Sequence, residues 1–281
     1  MKIFFNGEYR EAQAPLVKVF DRGFCFGDGV FTTIKVEGAT PWFLKHHLDR
    51  LRSSCRFLGI VFKDPGFSEV IATVLKKNRL KDGRIKIMMS RGCDFDNRIY
   101  NYRAASATTA VLAFPLGAHP PKPVRLTIAP ERRGEEALYH HKTISYLQNL
   151  LHKTHARKKG FDDELILNWQ REILETSTAN VFFIVKDKII TPPAELPLLN
   201  GIMRQQLLSL GTIKGYCFQE DSLTPKELKK VTGVFITSAI LEVCPVKQID
   251  DRTFSLEIPN AIRKEWLRVK RGALGKGSVF P

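Results

Sequence analysis

Lys142 and Glu175 are the two side chains of this sequence whose surroundings best suit covalent and acid–base chemistry. Lys142 lies where a polar loop joins a predicted helix, and a lysine that loses its proton can attack a carbonyl to form a Schiff base. Glu175 lies between two apolar strands, where a lone buried carboxylate is costly. It therefore needs a cationic or hydrogen-bond-donating partner, and a pyridinium nitrogen would serve. The ordinary alternative for Lys142 is an exposed lysine at the start of a helix.

Three other places in the chain could bind an anion such as phosphate. Arg50 lies one residue from the apolar stripe of a predicted helix; its guanidinium could hold phosphate through two hydrogen bonds, although a lone helical arginine is usually solvated. Gly201 opens another predicted helix, whose first backbone N–H groups can bind anions. Thr237 and Ser238 end a buried strand, and their hydroxyls could hold phosphate oxygens or cap a helix. Each of these signals is weak when taken alone.

A glycine-rich segment runs from Asp21 to Thr33, with three glycines among seven residues. Glycine lets the backbone pass close to another group, and a tight turn before a strand explains the segment equally well. The spacing matches neither the dinucleotide-binding motif nor a P-loop, so it does not indicate a nucleotide.

The charge balance favours anionic partners. The 281 residues contain 44 Lys and Arg against 29 Asp and Glu, which leaves a net charge of +15. Such a surplus suits nucleic acid, or a phosphorylated cofactor together with a carboxylate substrate. The sequence contains no aromatic residues interleaved with basic ones, no helix-turn-helix and no zinc-finger spacing, so nucleic acid has no support beyond the charge.

The composition is that of an ordinary globular protein, with 43% hydrophobic residues. Five scattered cysteines and seven histidines show no ligand spacing, so we expect neither disulfides nor a metal site. No apolar run approaches the ~18 residues that a membrane-spanning helix needs. The start of the chain does not resemble a signal peptide. We therefore expect a cytoplasmic protein.

Hydrophobic periodicity predicts an α+β fold in two domains, because strand pairs and separate helices alternate along the chain. Asn6-Gly7 predicts a hairpin, and apolar residues at helical spacing predict a helix from Leu44 to Leu58 that ends at Gly59. Four prolines around residue 120 favour neither helix nor central strand. We therefore expect a smaller N-terminal domain over 1–115, a proline-rich linker over 116–123, and a larger C-terminal domain over 124–281 that carries Lys142.

In their order along the chain, these motifs resemble the class IV aminotransferases, the fold type IV enzymes that use pyridoxal 5′-phosphate. The resemblance extends from Phe4 to about Ile249, and its most specific parts are the run from Phe26 to Phe31, Lys142, the run from Glu175 to Phe182, and the run from Asn200 to Arg204. It implies an enzyme with the two-domain fold of D-amino acid aminotransferase.

The resemblance also implies a role for each candidate residue. Lys142 would be the catalytic Schiff-base lysine, and Glu175 would pair with the protonated pyridine nitrogen so that the ring accepts electrons. The cofactor phosphate would be bound by Arg50, by the backbone N–H groups of Ile202 and Met203, and by Thr237 or Ser238. Met203 stands where the family often has threonine, so a hydroxyl contact is lost there while the backbone contact can remain.

The family contains branched-chain aminotransferases, D-amino acid aminotransferases and 4-amino-4-deoxychorismate lyases. Three features are closer to the lyases: Gly201-Ile-Met-Arg-Gln, Phe31-Thr-Thr, and the run from Thr237 to Glu242. Many transaminases have an acidic residue at the position of Thr32. We therefore expect a lyase that forms 4-aminobenzoate, a folate precursor, and pyruvate. The alternative is a transaminase that acts on branched-chain or D-amino acids.

Substrate recognition is assigned from the same resemblance. Arg98 and Tyr100 occupy positions similar to the family's carboxylate-binding pair, and Phe31 would contact the substrate. In the family this loop enters the active site of the neighbouring subunit, which implies a homodimer; a flexible polar loop is the alternative. A basic nucleic-acid-binding protein remains the non-enzyme alternative, and it rests only on the net charge.

Overall fold

The computed structural model describes residues 1–93, 106–117 and 122–275. This part of the chain forms two compact units. The first contains the described residues of Met1–Ala118 together with His141–Tyr146, and the second contains those of His119–His140 and Leu147–Pro281. The segment that carries Lys142 therefore belongs to the first unit, whereas the sequence placed it in the C-terminal domain. The linker over 116–123 stays a prediction, since residues 118–121 lie outside the described ranges.

Antiparallel pairing builds the sheet of the first unit. Its strands are β1 (Lys2–Phe5), β2 (Glu8–Glu11), β3 (Gly29–Glu37), β4 (Thr40–Pro41), β5 (Gly83–Ser90) and β6 (Thr108–Pro115), in the spatial order β2-β1-β6-β5-β3-β4. The predicted hairpin is confirmed: Phe5 pairs with Glu8, and the turn residues Asn6 and Gly7 have φ of 48° and 94°. Asparagine and glycine are the residues that adopt such positive φ values most readily.

Three helices accompany this sheet: α1 (Arg22–Phe26), α2 (Leu44–Leu58) and α3 (Phe67–Lys77). The helix predicted from Leu44 to Leu58 is confirmed, and Gly59 ends it with a φ of 67°. Helix α2 packs against β3, while α3 packs against β1 and β6. The apolar side chains of one sheet face form the core of the unit together with those of the two helices. The residues that alternate with them along β3 and β5 lie on the opposite face.

The strands of the second unit form a larger mixed sheet. They are β7 (Val124–Arg133), β8 (Asp163–Asn168), β9 (Ile173–Thr176), β10 (Asn180–Val185), β11 (Lys188–Thr191), β12 (Thr212–Ile213), β13 (Tyr216–Glu220), β14 (Gly233–Ser238), β15 (Glu242–Ile249) and β16 (Arg252–Thr253). The spatial order is β12-β13-β11-β10-β14-β15-β7-β8-β9, with β16 beside β15. One further pairing, between Glu175 of β9 and Asn180 of β10, closes the path from β10 to β9 into a ring. Glu175 thus lies at the point of closure.

Helices pack against this sheet. They are α4 (Leu147–Lys158), α5 (Ile202–Leu208) and α6 (Glu257–Gly275), and two 3₁₀ helices span Ala137–His140 and Pro225–Lys230. Helix α4 packs on β7 and β8, α5 on β13 and β14, and α6 on β14 and β15. The mixture of helices and strands in two units confirms the expected α+β fold. Among the helices described, none has both the length and the apolar composition needed to cross a membrane.

Candidate active site

The backbone on both sides of Lys142 is fixed to strand β3. The N–H of Phe31 donates to the carbonyl of Lys142 at 2.9 Å, and the N–H of Ile144 donates to the carbonyl of Gly29 at 2.9 Å. Thr143 forms an antiparallel bridge with Val30. These bonds explain why the segment belongs to the first unit, and they fix the Cα of Lys142 against a rigid strand.

Two aromatic rings lie beside the amine of Lys142. Its Nζ lies 4.6 Å from the centroid of the Phe31 ring and 5.2 Å from that of Tyr146. The two rings meet edge to face, with centroids 5.4 Å apart. Aromatic faces attract a cation, and they also limit the water around it. The two rings therefore define the position of the amine.

Arg50 lies in the same unit, where a chain of hydrogen bonds through Thr32 to His47 positions its guanidinium. Its Nη2 donates to the hydroxyl of Thr32 at 3.2 Å, and that hydroxyl lies 2.7 Å from Nδ1 of His47. Burial holds the pKa of His47 well below 6.5, and the charges of Arg50, His46 and Lys142 lower it further. A neutral His47 with its proton on Nε2 accepts from Thr32, so the hydroxyl can accept from Arg50.

The guanidinium of Arg50 remains charged at neutral pH, since burial lowers its pKa only to about 10. No carboxylate of the described residues forms an ion pair with it. An oriented cation in this setting suits a phosphate group.

Glu175 is buried in the second unit beside Arg133. Oε1 of Glu175 accepts from Nη1 of Arg133 at 2.6 Å, and Oε2 accepts from the Asn180 amide and the Leu199 N–H, each at 3.3 Å. Arg133 also donates to the carbonyl of Pro197 at 2.9 Å. The requirement for a cationic partner that the sequence indicated is therefore met by this arginine.

Arg133 is the residue of the candidate site that sequence reasoning missed. Its guanidinium lies 4.5 Å from the ring centroid of Tyr139, and its side chain is buried. Arg132 and Arg133 together look like a pair of surface charges in the sequence. The only available signal was that the charge of Glu175 needed a counter-ion within the fold.

Thr237 and the start of α5 supply polar groups without partners in the second unit. Within the described residues, the buried Oγ1 of Thr237 has no hydrogen-bond partner. The first turn of α5, which contains Ile202 and Met203, follows Gly201 and has no side-chain cap. A side chain at Gly201 would collide with Oδ1 of Asn180. A buried hydroxyl and uncapped N–H groups fit the oxygens of a phosphate group.

The remaining predicted residues have separate outcomes. Ser238 lies at the end of β14, where its hydroxyl accepts from the N–H of Leu241 at 3.1 Å, so it also stabilises a turn. Arg98 and Tyr100 lie outside the described residues. The glycine-rich segment contains more than the expected turn, because α1 forms there and ends at Gly27 with a φ of 69°.

One group of side chains has the composition of a metal site. Glu131, His152 and Glu164 each offer a ligand atom within 4.8 Å of the other two. Nδ1 of His152 already lies 2.7 Å from Oε2 of Glu164, which joins α4 to β8. The pair has a structural role without an ion, and the expectation of no metal site stays a prediction.

Comparison with known proteins identifies the class to which this fold and these residues belong. The model of the family described as amino-transferase class IV matches residues 29–249. The chain therefore belongs to the class IV aminotransferases, and it is an enzyme that depends on pyridoxal 5′-phosphate.

Particular relatives within this family have different activities. The chain is 28% identical to the D-alanine aminotransferase of Bacillus licheniformis over 94% of both proteins. It is 29% identical to the aminodeoxychorismate lyase of Vibrio harveyi, over 86% of this chain and 91% of that one. The crystal structure of the branched-chain amino acid aminotransferase of Escherichia coli has the same fold, with a TM-score of 0.87 at 22% identity, over 95% and 93% of the two chains.

Proposed function

We propose that this enzyme is a 4-amino-4-deoxychorismate lyase, which releases pyruvate and 4-aminobenzoate. The observation that carries the proposal is Thr32, a neutral residue in hydrogen-bonding contact with the Arg50 guanidinium. An acidic residue there, as in many transaminases, would cancel the charge of Arg50. Its absence leaves the charge of Arg50 uncancelled for the cofactor phosphate, so the site as a whole carries one more positive charge, which suits a substrate with two carboxylates. The lyase substrate has two carboxylates, whereas alanine and the branched-chain amino acids have one.

The cofactor, when bound, provides a ring that accepts the electrons of a broken bond. Lys142 would hold the cofactor through its Nζ, and the same amine would take up the proton from the carbon next to the substrate amine. Glu175, held by Arg133, keeps a proton on the pyridine nitrogen. Arg50, Thr237, Ser238 and the N–H groups of Ile202 and Met203 bind the phosphate.

Phe31 limits water near the amine, and it contacts the substrate in this proposal. We also propose that Arg98 and Tyr100 bind a substrate carboxylate in a neighbouring subunit, so that the active enzyme is a homodimer in the cytoplasm. Light scattering of the purified protein measures its oligomeric state. A monomer with full activity contradicts the proposed homodimer.

The test is an assay with two sets of substrates. 4-Amino-4-deoxychorismate is supplied without an amino acceptor, and a panel of L- and D-amino acids is supplied with 2-oxoglutarate. Pyruvate release from the first substrate supports the lyase. Turnover that requires the keto acid selects a transaminase, which the aminotransferase relatives make the second candidate.

A variant links either activity to the proposed lysine. Lys142→Ala is expected to lose turnover and the visible absorbance of the covalently bound cofactor. Lys153→Ala is the matched control, since Lys153 pairs with Asp163 at 2.9 Å on another element. Retention of the absorbance by Lys142→Ala contradicts the assignment.

A further inference from the structure

Lys86 is a cation of the first unit that the proposed machinery does not use. It lies on β5, on the sheet face opposite α2 and α3, where Thr33 pairs with it across the strands. Its Nζ lies 4.7 Å from the centroid of the Phe31 ring. The Nζ of Lys142 lies 4.6 Å from the same centroid. The two amines are therefore separated by no more than these two distances combined.

The charge of Lys86 lacks compensation within the described residues, where no carboxylate forms an ion pair with it. Its side chain is half-buried. Burial lowers the pKa of Lys86, and the positive charge of Arg84 lowers it further. An ammonium group that has lost water and has no counter-ion is stabilised by any anion that reaches it.

Lys35 provides the contrast on the same face of the sheet. It lies on the neighbouring strand, and its Nζ lies 2.7 Å from a carboxylate oxygen of Glu37. The charge of Lys35 is therefore already neutralised, whereas that of Lys86 is available. The aromatic ring beside Lys86 is also the ring beside the reactive lysine.

We propose that Lys86 binds a carboxylate of the substrate and thereby selects amine substrates that carry an additional negative charge. This inference rests on the proposed function, because it requires the substrate amine to react at Lys142. Phe31 then positions both groups: its ring is in contact with the amine that reacts and with the amine that recognises the anion. Selectivity for a dicarboxylate follows from a cation that a monocarboxylate would leave unpaired.

The experiment compares Lys86→Met with Lys35→Met in the holoenzyme, since both variants remove one lysine charge from the same sheet face. Lys86→Arg keeps the charge. With 4-amino-4-deoxychorismate, Lys86→Met is expected to raise KM by about ten- to a hundredfold, with kcat within about twofold. Lys86→Arg is expected to restore most of the affinity, and Lys35→Met to behave as the wild type. An unchanged KM in Lys86→Met overturns the proposal.

A second measurement does not depend on turnover. Isophthalate carries two carboxylates on a ring and no amine, whereas benzoate carries one carboxylate and no amine. Calorimetry is expected to show that Lys86→Met loses affinity for isophthalate by about tenfold or more, while Lys35→Met does not. Equal affinities in the two variants, or no binding to the wild type, overturn the role of Lys86. The visible absorbance of the bound cofactor, measured in the same samples, tests the proposed function separately.

Discussion

At the residue scale, we expect the buried hydroxyl of Thr237 to link stability to cofactor binding. Its Oγ1 has no hydrogen-bond partner among the described residues, and a buried hydroxyl without a partner destabilises the folded protein. Thr237→Val is therefore expected to leave the free energy of unfolding of the cofactor-free protein unchanged or raised by about 1 kcal/mol. The same change is expected to weaken binding of pyridoxal 5′-phosphate by about three- to tenfold, because a phosphate contact is lost.

Thr191→Val is the control for this prediction. The hydroxyl of Thr191 is also buried, but it donates to the carbonyl of Val181 at 2.8 Å. Its removal is expected to lower the free energy of unfolding by about 1 kcal/mol and to leave cofactor affinity unchanged. Urea unfolding and fluorescence titration measure the two quantities. The prediction is wrong if Thr237→Val and Thr191→Val change the free energy of unfolding in the same direction and change the cofactor affinity in the same direction.

The residue scale also marks the limit of sequence reasoning. The sequence indicated Lys142, Glu175 and Arg50 because each stands in a recognisable pattern. It did not indicate Arg133 or Lys86, since a basic residue in a strand is normally exposed. Their proposed roles depend on which strands become neighbours, and pairings such as β9 with β10 are set by long-range contacts that local patterns do not contain.

At the scale of elements, local sequence patterns predicted several of the helices and turns that the structure contains. Apolar residues at helical spacing predicted α2, and the Asn-Gly turn predicted the first hairpin. Helix α1 was missed because three nearby glycines disfavour a helix. It forms because Asp21 caps it, with its carboxylate accepting from the N–H of Gly23 at 2.8 Å.

Two glycines, one at the end of a helix and one within a helix, provide a prediction at the scale of elements. Replacing each by alanine is expected to change the free energy of unfolding in opposite directions. Gly59 ends α2 with a φ of 67°, whereas Gly272 lies within α6 with open space around it. Gly59→Ala is expected to lower the free energy of unfolding by about 1–2 kcal/mol, because a Cβ is strained at positive φ. Gly272→Ala is expected to raise it by about 0.5–1 kcal/mol, because alanine favours the helix. Urea unfolding measures both, and changes of equal sign would be incompatible with this account.

At the scale of the whole molecule, the net charge of +15 acts on stability as well as on binding. Like charges repel one another in the compact state, and salt screens that repulsion. The midpoint of thermal unfolding is therefore expected to rise as sodium chloride is increased from low to physiological concentration. A gain of 1 kcal/mol corresponds to about 2–4 °C for a chain of this size.

Chloride is the appropriate anion for that series, since phosphate or sulfate could occupy the residues proposed to bind the cofactor phosphate. The same series at alkaline pH, where lysines lose their charge, is the control and should show a smaller rise. A midpoint that does not respond to salt at neutral pH would mean that the positive charges are spaced too widely to repel one another.

His141–Tyr146 belongs to the first unit although the residues on both sides of it belong to the second, and this affects how enzymes of this kind can be recombined in the laboratory. A chimera with a single junction near residue 118 would join one parent's strand β3 to the other parent's equivalent of Lys142. The backbone bonds between Phe31 and Lys142 would then connect two sequences that did not evolve together. An exchange that keeps the lysine with its own strand needs two more junctions, one on each side of this six-residue segment.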